Sequence, residues 1–470
     1  MASACKEEGS WLEGMIDIRV HKRVPRKYSS RGTVYGSNSG IYWDIINELK
    51  YRDSEIEEVS LALYLFNNRH LQNELLGLAK KGAKILVTSL PLTGYDKRKI
   101  RDAQSNYIKI VKDGIIDLRI FPHMYMWFGA RYAGGGASYS FHVKAGMIKY
   151  KDGTSKVFLT SGNLAPGDPT HSETAVFVDA LHTSPLLEMY KAFFGEIEKR
   201  AKSFIEYSEL IQGLTPELQR VFDFSFVGGI NITNFGPNQA SSAFFTAPFI
   251  TVGSRGSNHY ARKRLVEIIL SANQRLFVCA QHSHDISPFN GYPEQTMINS
   301  LIGVKEAKID IDVKVLKQVA SSGLADKRRA AFVEGHLSHA GIPQRVNKLV
   351  HDKFVVADDI VVITTSNFTA TQFGWGERQM EYKTDTGDLT AVQNVVDSAT
   401  DFFGTPRGCV FTQMTRPRKG SPKIKIVRND RFSEVNAFIV IEDSGIADDM
   451  TKYFGELWDH RLSADVEIPM

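Results

Sequence analysis

Residues 140–179 read SFHVKAGMIKYKDGTSKVFLTSGNLAPGDPTHSETAVFVD, and residues 349–385 read LVHDKFVVADDIVVITTSNFTATQFGWGERQMEYKTD. Both stretches open with His-x-Lys and continue with an apolar strand, a turn, a second apolar strand, a Ser/Asn loop and a Glu before a further strand. In the first copy, Lys151-Asp152-Gly153 is a strong hairpin signal. The order of features is the same in both, so the sequence predicts two similar lobes.

The repeat extends towards the N-terminus of each copy. TVYGSNSGIYWDIINEL starts at Thr33 and TVGSRGSNHYARKRLVEIIL starts at Thr251, and each pairs a small-residue loop with a helical pattern. Apolar strand-like runs follow, EVSLALYLF and RLFVCAQHS, then a second helical stretch and a further strand. Alternation of strands and helices indicates an α/β fold. We predict a basic N-terminal segment at 1–29, lobe 1 at 30–210, lobe 2 at 215–405 and a basic C-terminal appendage at 406–470.

Composition is that of an ordinary globular protein, with 43% hydrophobic and 23% charged residues among 470. The three cysteines are far apart in sequence, so we expect neither a disulfide framework nor a cysteine metal site, and a reducing compartment. The first residues do not resemble a signal peptide, and no apolar run is long enough to span a membrane. We therefore expect a cytoplasmic or nuclear protein that is not secreted and has no stable membrane insertion.

Positive charge is concentrated in two places, although the net charge is only +4. The first cluster lies between Arg19 and Arg31, and the second runs through RPRKGSPKIKIVRNDR at residues 416–431. Such clusters are able to follow a phosphate backbone. The alternative is that they are solvated loops that keep the protein in solution.

The chemistry-bearing residues recur as a set in the two copies. A single His at a strand edge, a Lys two positions later or a Ser-Asn loop each has an ordinary structural explanation. Duplication of the whole set in order favours function, since His and Lys two residues apart on a strand face the same side. The candidate catalytic residues are His142, Lys144, Asn163 and Glu173 in lobe 1, and His351, Lys353, Asn367 and Glu381 in lobe 2.

These residue types suit phosphodiester hydrolysis. One imidazole attacks phosphorus and holds a phosphohistidine, while the other protonates the leaving oxygen and then deprotonates water. The lysines and asparagines stabilise the non-bridging oxygens, and Glu173 and Glu381 are placed to orient the histidines. No Asp/Glu cluster accompanies the set, so we predict catalysis without a metal or other cofactor, the cationic side chains taking the electrostatic role of a metal. Each lobe supplies one His, so neither lobe alone should be active.

The doubled His-x-Lys with its downstream Asn and Glu resembles the phospholipase D superfamily, whose signature adds an Asp after four further residues. HDKFVVAD fits with Asp358 in the Asp position, whereas HVKAGMIK places Lys149 there. The tyrosyl-DNA phosphodiesterase branch also lacks that Asp and has similar Thr-Ser-Asn loops. The resemblance implies two α/β sandwich lobes related by a pseudo-twofold axis, a shared cleft and a phosphohistidine. It also implies that His142 is the nucleophile and His351 the acid/base.

The resemblance does not identify the substrate, because the family includes lipases, nucleases, DNA repair enzymes and lipid synthases. We expect a nucleic acid, with DNA favoured over RNA, because the basic segments suit a polyanion and aromatic residues near the motifs are able to stack on bases. A phospholipase D-type lipid phosphodiesterase is the main alternative. A catalytically silent binding protein is disfavoured, because both half-sites are complete. The predicted substrate-binding residues are Ser161, Ser366, Tyr139, Trp375, Arg416, Arg418 and Lys419.

Overall fold

The fold was analysed in a computed structural model of the chain. The structure describes residues 14–25, 40–89, 110, 115–121, 141–165, 170–206, 233–234, 243–247, 250–253, 255–285, 296–320, 324–369, 372, 382–383, 423–424 and 434–466.

Lobe 1 is built on an eight-stranded sheet. Its strands are β1 (Met15–Arg23), β2 (Ile56–Leu63), β3 (Lys84–Ser89), β4 (Ile116–Ile120), β5 (Lys144–Tyr150), β6 (Thr154–Thr160), β7 (Glu173–Leu181) and β8 (Lys202–Ser203). They lie in the order β1-β7-β6-β5-β2-β3-β4-β8. The helices are α1 (Ile41–Tyr51), α2 (Arg69–Lys80) and α3 (Pro185–Arg200), with a short 3₁₀ turn at Asp53–Glu55.

Lobe 2 is built on a second eight-stranded sheet. Before and within it, the chain forms β9 (Thr233–Asn234), β10 (Ala243–Thr246), β11 (Ile250–Val252), β12 (Arg255–Gly256), β13 (Arg275–Ala280), β14 (Ser283–His284), β15 (Asp312–Lys317), β16 (Gln344–Asn347), β17 (Lys353–Ala357), β18 (Ile360–Thr364), β19 (Phe368–Thr369), β20 (Tyr382–Lys383), β21 (Lys423–Ile424), β22 (Asn436–Glu442) and β23 (Ser463–Asp465). The helices are α4 (Ser257–Ser271), α5 (Met297–Ala307), α6 (Leu324–His339) and α7 (Ser444–Trp458). The large sheet has the order β10-β22-β18-β17-β13-β15-β16-β23.

The two large sheets have the same topology, position by position. In lobe 1, β2, β3 and β4 are parallel, and every other neighbouring pair is antiparallel. In lobe 2, β13, β15 and β16 are parallel, and every other neighbouring pair is antiparallel. The predicted fold class, two similar α/β lobes, is therefore confirmed, and each residue in one sheet has a defined counterpart in the other.

The lobes share one apolar core. The inner faces of both sheets pack with α3 and α7 into a single cluster, in which the rings of Phe193 from lobe 1 and Phe245 from lobe 2 stack with centroids 3.9 Å apart. The outer faces have separate cores, under α1 and α2 in lobe 1 and under α4, α5 and α6 in lobe 2. Because both faces of each sheet are buried, the central strands contain apolar runs such as LAL in β2 and IVVI in β18.

Both ends of the chain belong to the lobes more closely than the sequence-based boundaries suggest. The segment at 1–29 contributes β1, an edge strand of the first sheet. The predicted appendage at 406–470 contributes β22, α7 and β23, and β22 lies between β10 and β18 in the second sheet. The strand composition of NAFIVIE belongs to a buried strand, but residues 370–433 separate it from β19, so the repeat pattern alone did not reveal it.

The described cations of the N-terminal basic cluster pair with carboxylates of the protein. The guanidinium of Arg19 lies 2.9 Å from Glu48 and 3.1 Å from Asp179, and Arg23 pairs with Asp44. The ammonium of Lys22 pairs with a carboxylate of α7 in the other lobe. These three cations hold β1 on the sheet, which gives them a structural role besides the two alternatives considered from sequence. The remaining residues of this cluster lie outside the described ranges.

Candidate active site

Each His-x-Lys triplet lies where a central strand begins, and the two triplets have the same local geometry. Lys144 opens β5 and Lys353 opens β17, and both are fully buried. Lys144 Nζ donates to the carbonyl oxygen of His142 at 2.7 Å, and Lys353 Nζ donates to that of His351 at 2.7 Å. An ammonium held this way has further donors for a ligand oxygen. The duplication predicted from sequence is therefore reproduced in three dimensions.

Backbone contacts between the lobes bring the two triplets together. Phe141, just before the first His, forms a parallel bridge with Val435 of lobe 2, and Val350, just before the second His, forms one with Ser172 of lobe 1. In addition, His351 N donates to Ser172 O at 3.2 Å. The residue preceding each His is thus tied to the opposite lobe, and the site lies at the lobe interface.

The second His is supported by a carboxylate from the opposite lobe. Glu173, the first residue of β7, is 1% exposed, and its Oε1 lies 3.5 Å from His351 Nδ1. The ring of His171 lies 5.7 Å from the ring of His351. A carboxylate at Nδ1 fixes the orientation of the imidazole and leaves Nε2 for chemistry. Glu173 therefore lies where the predicted orienting role requires it.

The first His is supported by an amide. His142 Nδ1 lies 3.3 Å from Oδ1 of Asn436, the first residue of β22, and this oxygen also accepts from Thr365 Oγ1 at 3.0 Å. Asn436 Nδ2 donates to Gln372 Oε1 at 2.7 Å, and Gln372 Nε2 donates to Glu434. The chain of bonds orients the amide so that its oxygen faces His142, which places the proton on Nδ1 and the lone pair on Nε2.

The sheet register makes Asn436 the counterpart of Glu173. Thr160 precedes the first Ser/Asn loop and pairs with Ala175, which lies two residues after Glu173. Thr364 precedes the second loop and pairs with Phe438, which lies two residues after Asn436. Sequence analysis placed the counterpart at Glu381, which lies outside the described residues and remains a prediction. The polar partner of His142 was missed because the two loops differ greatly in length.

The two Ser/Asn loops also differ at one small residue, which is Gly162 in the first loop and Ser366 in the second. A Cβ at Gly162 would lie 2.5 Å from Glu173 Oε2, so only glycine leaves space for the carboxylate. The equivalent residue of the second loop is Ser366, opposite the shorter Asn436. The Gly/Ser difference between the two loops is therefore the sequence signal that distinguishes a glutamate partner from an asparagine partner.

Electrostatics favour neutral imidazoles in the unliganded site. Burial, together with the charges of Lys144 and Lys353, lowers the pKa of His142 well below its usual range. Burial and the same two lysines also lower the pKa of His351. Two buried cations facing two neutral imidazoles form a site with an excess of positive charge, and a bound anion will offset that charge.

The asparagines of the two loops share one property. The amide oxygens of Asn163 and Asn367 are buried and have no hydrogen-bond partner within the part of the chain that the structure describes. Their role on the phosphate oxygens remains a prediction.

The hydroxyls of the two loops have structural partners. Ser161 Oγ accepts from Thr174 N at 3.0 Å, and Ser366 Oγ donates to Asn367 O at 3.0 Å. These hydrogen bonds shape the loops that carry the asparagines, and the substrate-binding role of Ser161 and Ser366 remains a prediction. The other predicted substrate contacts lie outside the described residues: Tyr139, Trp375, Arg416, Arg418 and Lys419.

Tyr64 is a site residue that sequence analysis missed. Its ring lies 5.3 Å from the ring of His142, and Lys144 Nζ lies 5.2 Å from its centroid. It directly follows β2, the strand beside β5. Its position at the end of a buried strand next to the His-x-Lys strand is the signal that identifies it.

The Asp of the second motif has a structural role. Asp358 has a φ of 51°, and its carboxylate accepts from the backbone N–H groups of Asn273, Gln274 and Arg275 at 2.7–3.0 Å. It therefore anchors the turn after β17 to the start of β13. In lobe 1, Lys149 instead faces Glu58 at 3.8 Å. Replacement of this Asp in the first motif thus leaves the site itself unaffected.

Two features are absent from the described residues, a metal-binding cluster and a membrane-spanning helix. Among these residues, no group of three or more His, Cys, Asp or Glu side chains is arranged to hold a metal ion. None of the helices in the described ranges is long and apolar enough to cross a membrane.

Solved structures similar to this chain include Nuc from Salmonella typhimurium, a phospholipase D family member, with a TM-score of 0.25 and 15% identity, covering 44% of this chain and 91% of Nuc. A polyphosphate kinase from Porphyromonas gingivalis has a TM-score of 0.45 and 9% identity over 94% of this chain, which spans only 50% of the kinase. A phosphatidylserine synthase from Haemophilus influenzae has a TM-score of 0.48 and 9% identity, covering 92% of this chain and 86% of the synthase. Yeast tyrosyl-DNA phosphodiesterase has a TM-score of 0.39 and 11% identity, covering 83% of each chain. No protein-family model and no curated protein matches the chain. No functional conclusion follows from likeness at these TM-scores.

Proposed function

We propose that this protein is a metal-independent phosphodiesterase of the phospholipase D type that hydrolyses nucleic acid, with DNA favoured, through a phosphohistidine intermediate. The observation that carries the proposal is the meeting of two identical His–Lys pairs at one interface, each His backed by a polar side chain from the opposite lobe. Lone catalytic-looking residues have structural explanations, but this paired arrangement matches a two-step displacement.

The first step uses His142 as the nucleophile. Its Nδ1–H faces Asn436, so the Nε2 lone pair is free to attack phosphorus. As the P–N bond forms, the P–O bond to the leaving group breaks, and His351 gives its proton to the leaving oxygen. Lys144 and Lys353 stabilise the negative charge on the non-bridging oxygens.

The second step returns the enzyme to its starting state. His351, now neutral, takes a proton from water, the water oxygen attacks phosphorus, and the P–N bond to His142 breaks. His351 must therefore gain a proton when substrate binds; the negative charge of the bound phosphate offsets the two lysines that lower its pKa in the unliganded site, and the Glu173 carboxylate also favours the protonated form. Glu173 beside His351 and neutral Asn436 beside His142 support this assignment of roles.

Support for a nucleic-acid substrate is more limited than the sequence suggested. The N-terminal cations are paired within the protein, so the basic run at residues 416–431 carries the electrostatic part of this proposal. Electrostatic attraction to the phosphate backbone supplies most of non-specific nucleic-acid affinity.

The test is an assay of the purified protein in EDTA with labelled DNA, labelled RNA and phosphatidylcholine vesicles as separate substrates. We expect cleavage of DNA, and no cleavage by His142→Ala or His351→Ala. His339→Ala, which alters an exposed histidine at the end of α6, is the matched control and should retain activity. Strict dependence on added Mg²⁺ with both site histidines dispensable would refute the mechanism. Cleavage of phosphatidylcholine alone would replace nucleic acid by lipid as the substrate.

A further inference from the structure

A pocket lies in lobe 2 beside the second half-site, at the ends of β13 and β15. It has a volume of about 100 Å³. Ala320 and Ala330 form part of its wall, and six polar residues form the rest: Gln281, His282, Ser283, His284, Lys317 and Gln318.

Backbone hydrogen bonds connect the wall of the pocket to the second half-site. Gln281 N donates to Asp352 O at 3.0 Å, one residue after His351. On the other side, Phe368 N, one residue after Asn367, donates to His282 O at 2.9 Å. The pocket wall is thus joined to both the strand and the loop that carry the second half-site.

The pocket contains a lysine aligned with the catalytic lysine. Ala280 pairs with Lys353 on one side and with Lys317 on the other, so the two lysines lie in one row of the sheet. Directly paired residues project from the same face, and two strand spacings separate them by about 10 Å. Lys317 is 4% exposed, and its Nζ lies 2.8 Å from Glu334 Oε1.

A hydroxyl in the pocket is buried and has no hydrogen-bond partner among the described residues. Ser283 is 4% exposed, and its Oγ makes no hydrogen bond within the described part of the chain. An unsatisfied buried hydroxyl costs free energy that a ligand oxygen is able to recover. This is a second observation, independent of charge, that indicates a polar ligand.

Lobe 1 provides an internal comparison. Leu63 and Ala280 occupy the same position in the two sheets, since each pairs with the His-x-Lys lysine of its lobe. The register therefore places Leu65, Phe66 and Ser89 where lobe 2 has His282, Ser283 and Lys317. These polar side chains are not required by the fold, because the same fold in lobe 1 has apolar ones at two of the three positions.

We infer that this pocket binds a second phosphate group of the substrate, one that is not cleaved, while the scissile phosphate lies between the two histidines. The inference rests on the proposed function and adds to it that the substrate carries at least two phosphates. In the resting state Glu334 balances the charge of Lys317, and the bound phosphate takes up part of that charge together with the pocket donors. The second phosphate comes either from a nucleotide chain or from an inorganic polyphosphate.

The experiment compares two chromogenic substrates. One is thymidine 5′-(p-nitrophenyl phosphate), which has only the scissile phosphate, and the other is the same ester with a 3′-phosphate. Wild type should prefer the second, and Lys317→Met should lower its kcat/KM about ten-fold, the scale of one charge-assisted hydrogen bond, with the first unchanged. Glu334→Gln should increase the preference, because it removes the charge that competes with the ligand.

The two variants should change the preference for the 3′-phosphate in opposite directions, and this distinguishes a binding role of the pair from a structural one. If the Lys317–Glu334 pair only stabilises the fold, both variants will lower activity on both substrates alike, and the inference is overturned. Absence of any preference in wild type, combined with no Lys317-dependent inhibition by tripolyphosphate, overturns it as well. Inhibition by tripolyphosphate that disappears in Lys317→Met, without a 3′-phosphate preference, would support the pocket and assign its phosphate to a polyphosphate chain.

The proposed function has a separate readout. If neither ester is cleaved, the proposed phosphodiesterase activity fails, and calorimetry with thymidine 3′,5′-bisphosphate still tests the pocket. Weaker binding by Lys317→Met and tighter binding by Glu334→Gln would support it. Equal dissociation constants for all three proteins would exclude it.

Discussion

At the residue scale, the two histidines differ in what lies behind them. Glu173 is a carboxylate, whereas Asn436 is a neutral amide held in one orientation by Gln372 and Glu434. A carboxylate raises the proton affinity of a neighbouring imidazole, and an amide oxygen does so much less. A pair of otherwise equivalent imidazoles thereby acquires two different roles.

Exchange of the partners should therefore move the pH profile of kcat/KM. Glu173→Gln should lower the pKa of His351 and shift the alkaline limb to lower pH, because His351 must be protonated to donate. Asn436→Asp should raise the pKa of His142 and shift the acidic limb to higher pH, because His142 must be neutral to attack. A pH–rate series on the chromogenic ester measures both limbs. If kcat/KM falls at every pH and neither limb of the profile shifts, these side chains only support the fold.

The covalent step makes a direct prediction about His142. In His351→Ala the base that activates water is missing, so a phosphorylated adduct should accumulate on His142 and be detectable by mass spectrometry after acid-free quenching. An adduct on His351 in the His142→Ala protein would reverse the two roles. His339→Ala should show no adduct, because its turnover is intact.

Site residues that lie within a short sequence motif could be predicted, whereas those positioned by long-range strand pairing could not. The His–Lys pairs, Asn163 and Asn367 were predictable, because each lies within a short repeated motif. Asn436 was not predictable, because its position depends on strand pairing across a long insertion. The structural role of Ser161 was equally hidden, since a hydroxyl in a loop looks the same whether it binds substrate or backbone.

At the element scale, the two sheets were predictable from alternating strand and helix patterns, while their edges were not. β1 carries so many charged residues that its composition suggests an exposed segment, yet its cations pair with carboxylates of α1 and β7. Propensity describes single segments, and such ion pairs form only between segments that the fold brings together.

The position of β22 predicts the effect of truncation. A chain that ends at residue 405, the boundary expected from sequence, lacks a strand that pairs with both β10 and β18. It also lacks the apolar face of α7 in the shared core. We expect this protein to be insoluble or to show no cooperative thermal transition by circular dichroism. A chain that ends at residue 466 is the control and should melt like the full chain. A soluble, cooperatively melting protein ending at 405 would contradict the assignment of β22.

At the scale of the whole molecule, one core joins the lobes, and one active site uses a His from each. Stability and activity are therefore properties of the pair, since separation would expose the inner face of each sheet and divide the catalytic set. An interface of this kind is more like the interior of one domain than like a contact between mobile domains.

The long-range electrostatics can be measured through salt dependence. If the run at 416–431 follows a nucleic-acid backbone, replacing Arg416, Arg418 and Lys419 together should flatten the slope of log affinity against log salt by up to about three units. Turnover of the chromogenic ester should be unaffected, because the ester lacks the polyanionic backbone that the run is proposed to follow. Fluorescence anisotropy with a labelled oligonucleotide gives the slope, and an unchanged slope would indicate that the run is only solvated.

The late place of β22 in the chain has a consequence for the order of synthesis. Residues up to Ser203 supply every strand of the first sheet, so these strands are able to pair while the ribosome is still producing lobe 2. The second sheet instead waits for Asn436–Glu442, and until then the edge of β18 has no neighbour on that side. An unpaired strand edge is a template for wrong pairing. The nascent protein should therefore depend most on chaperones during the interval between translation of β18 and that of β22.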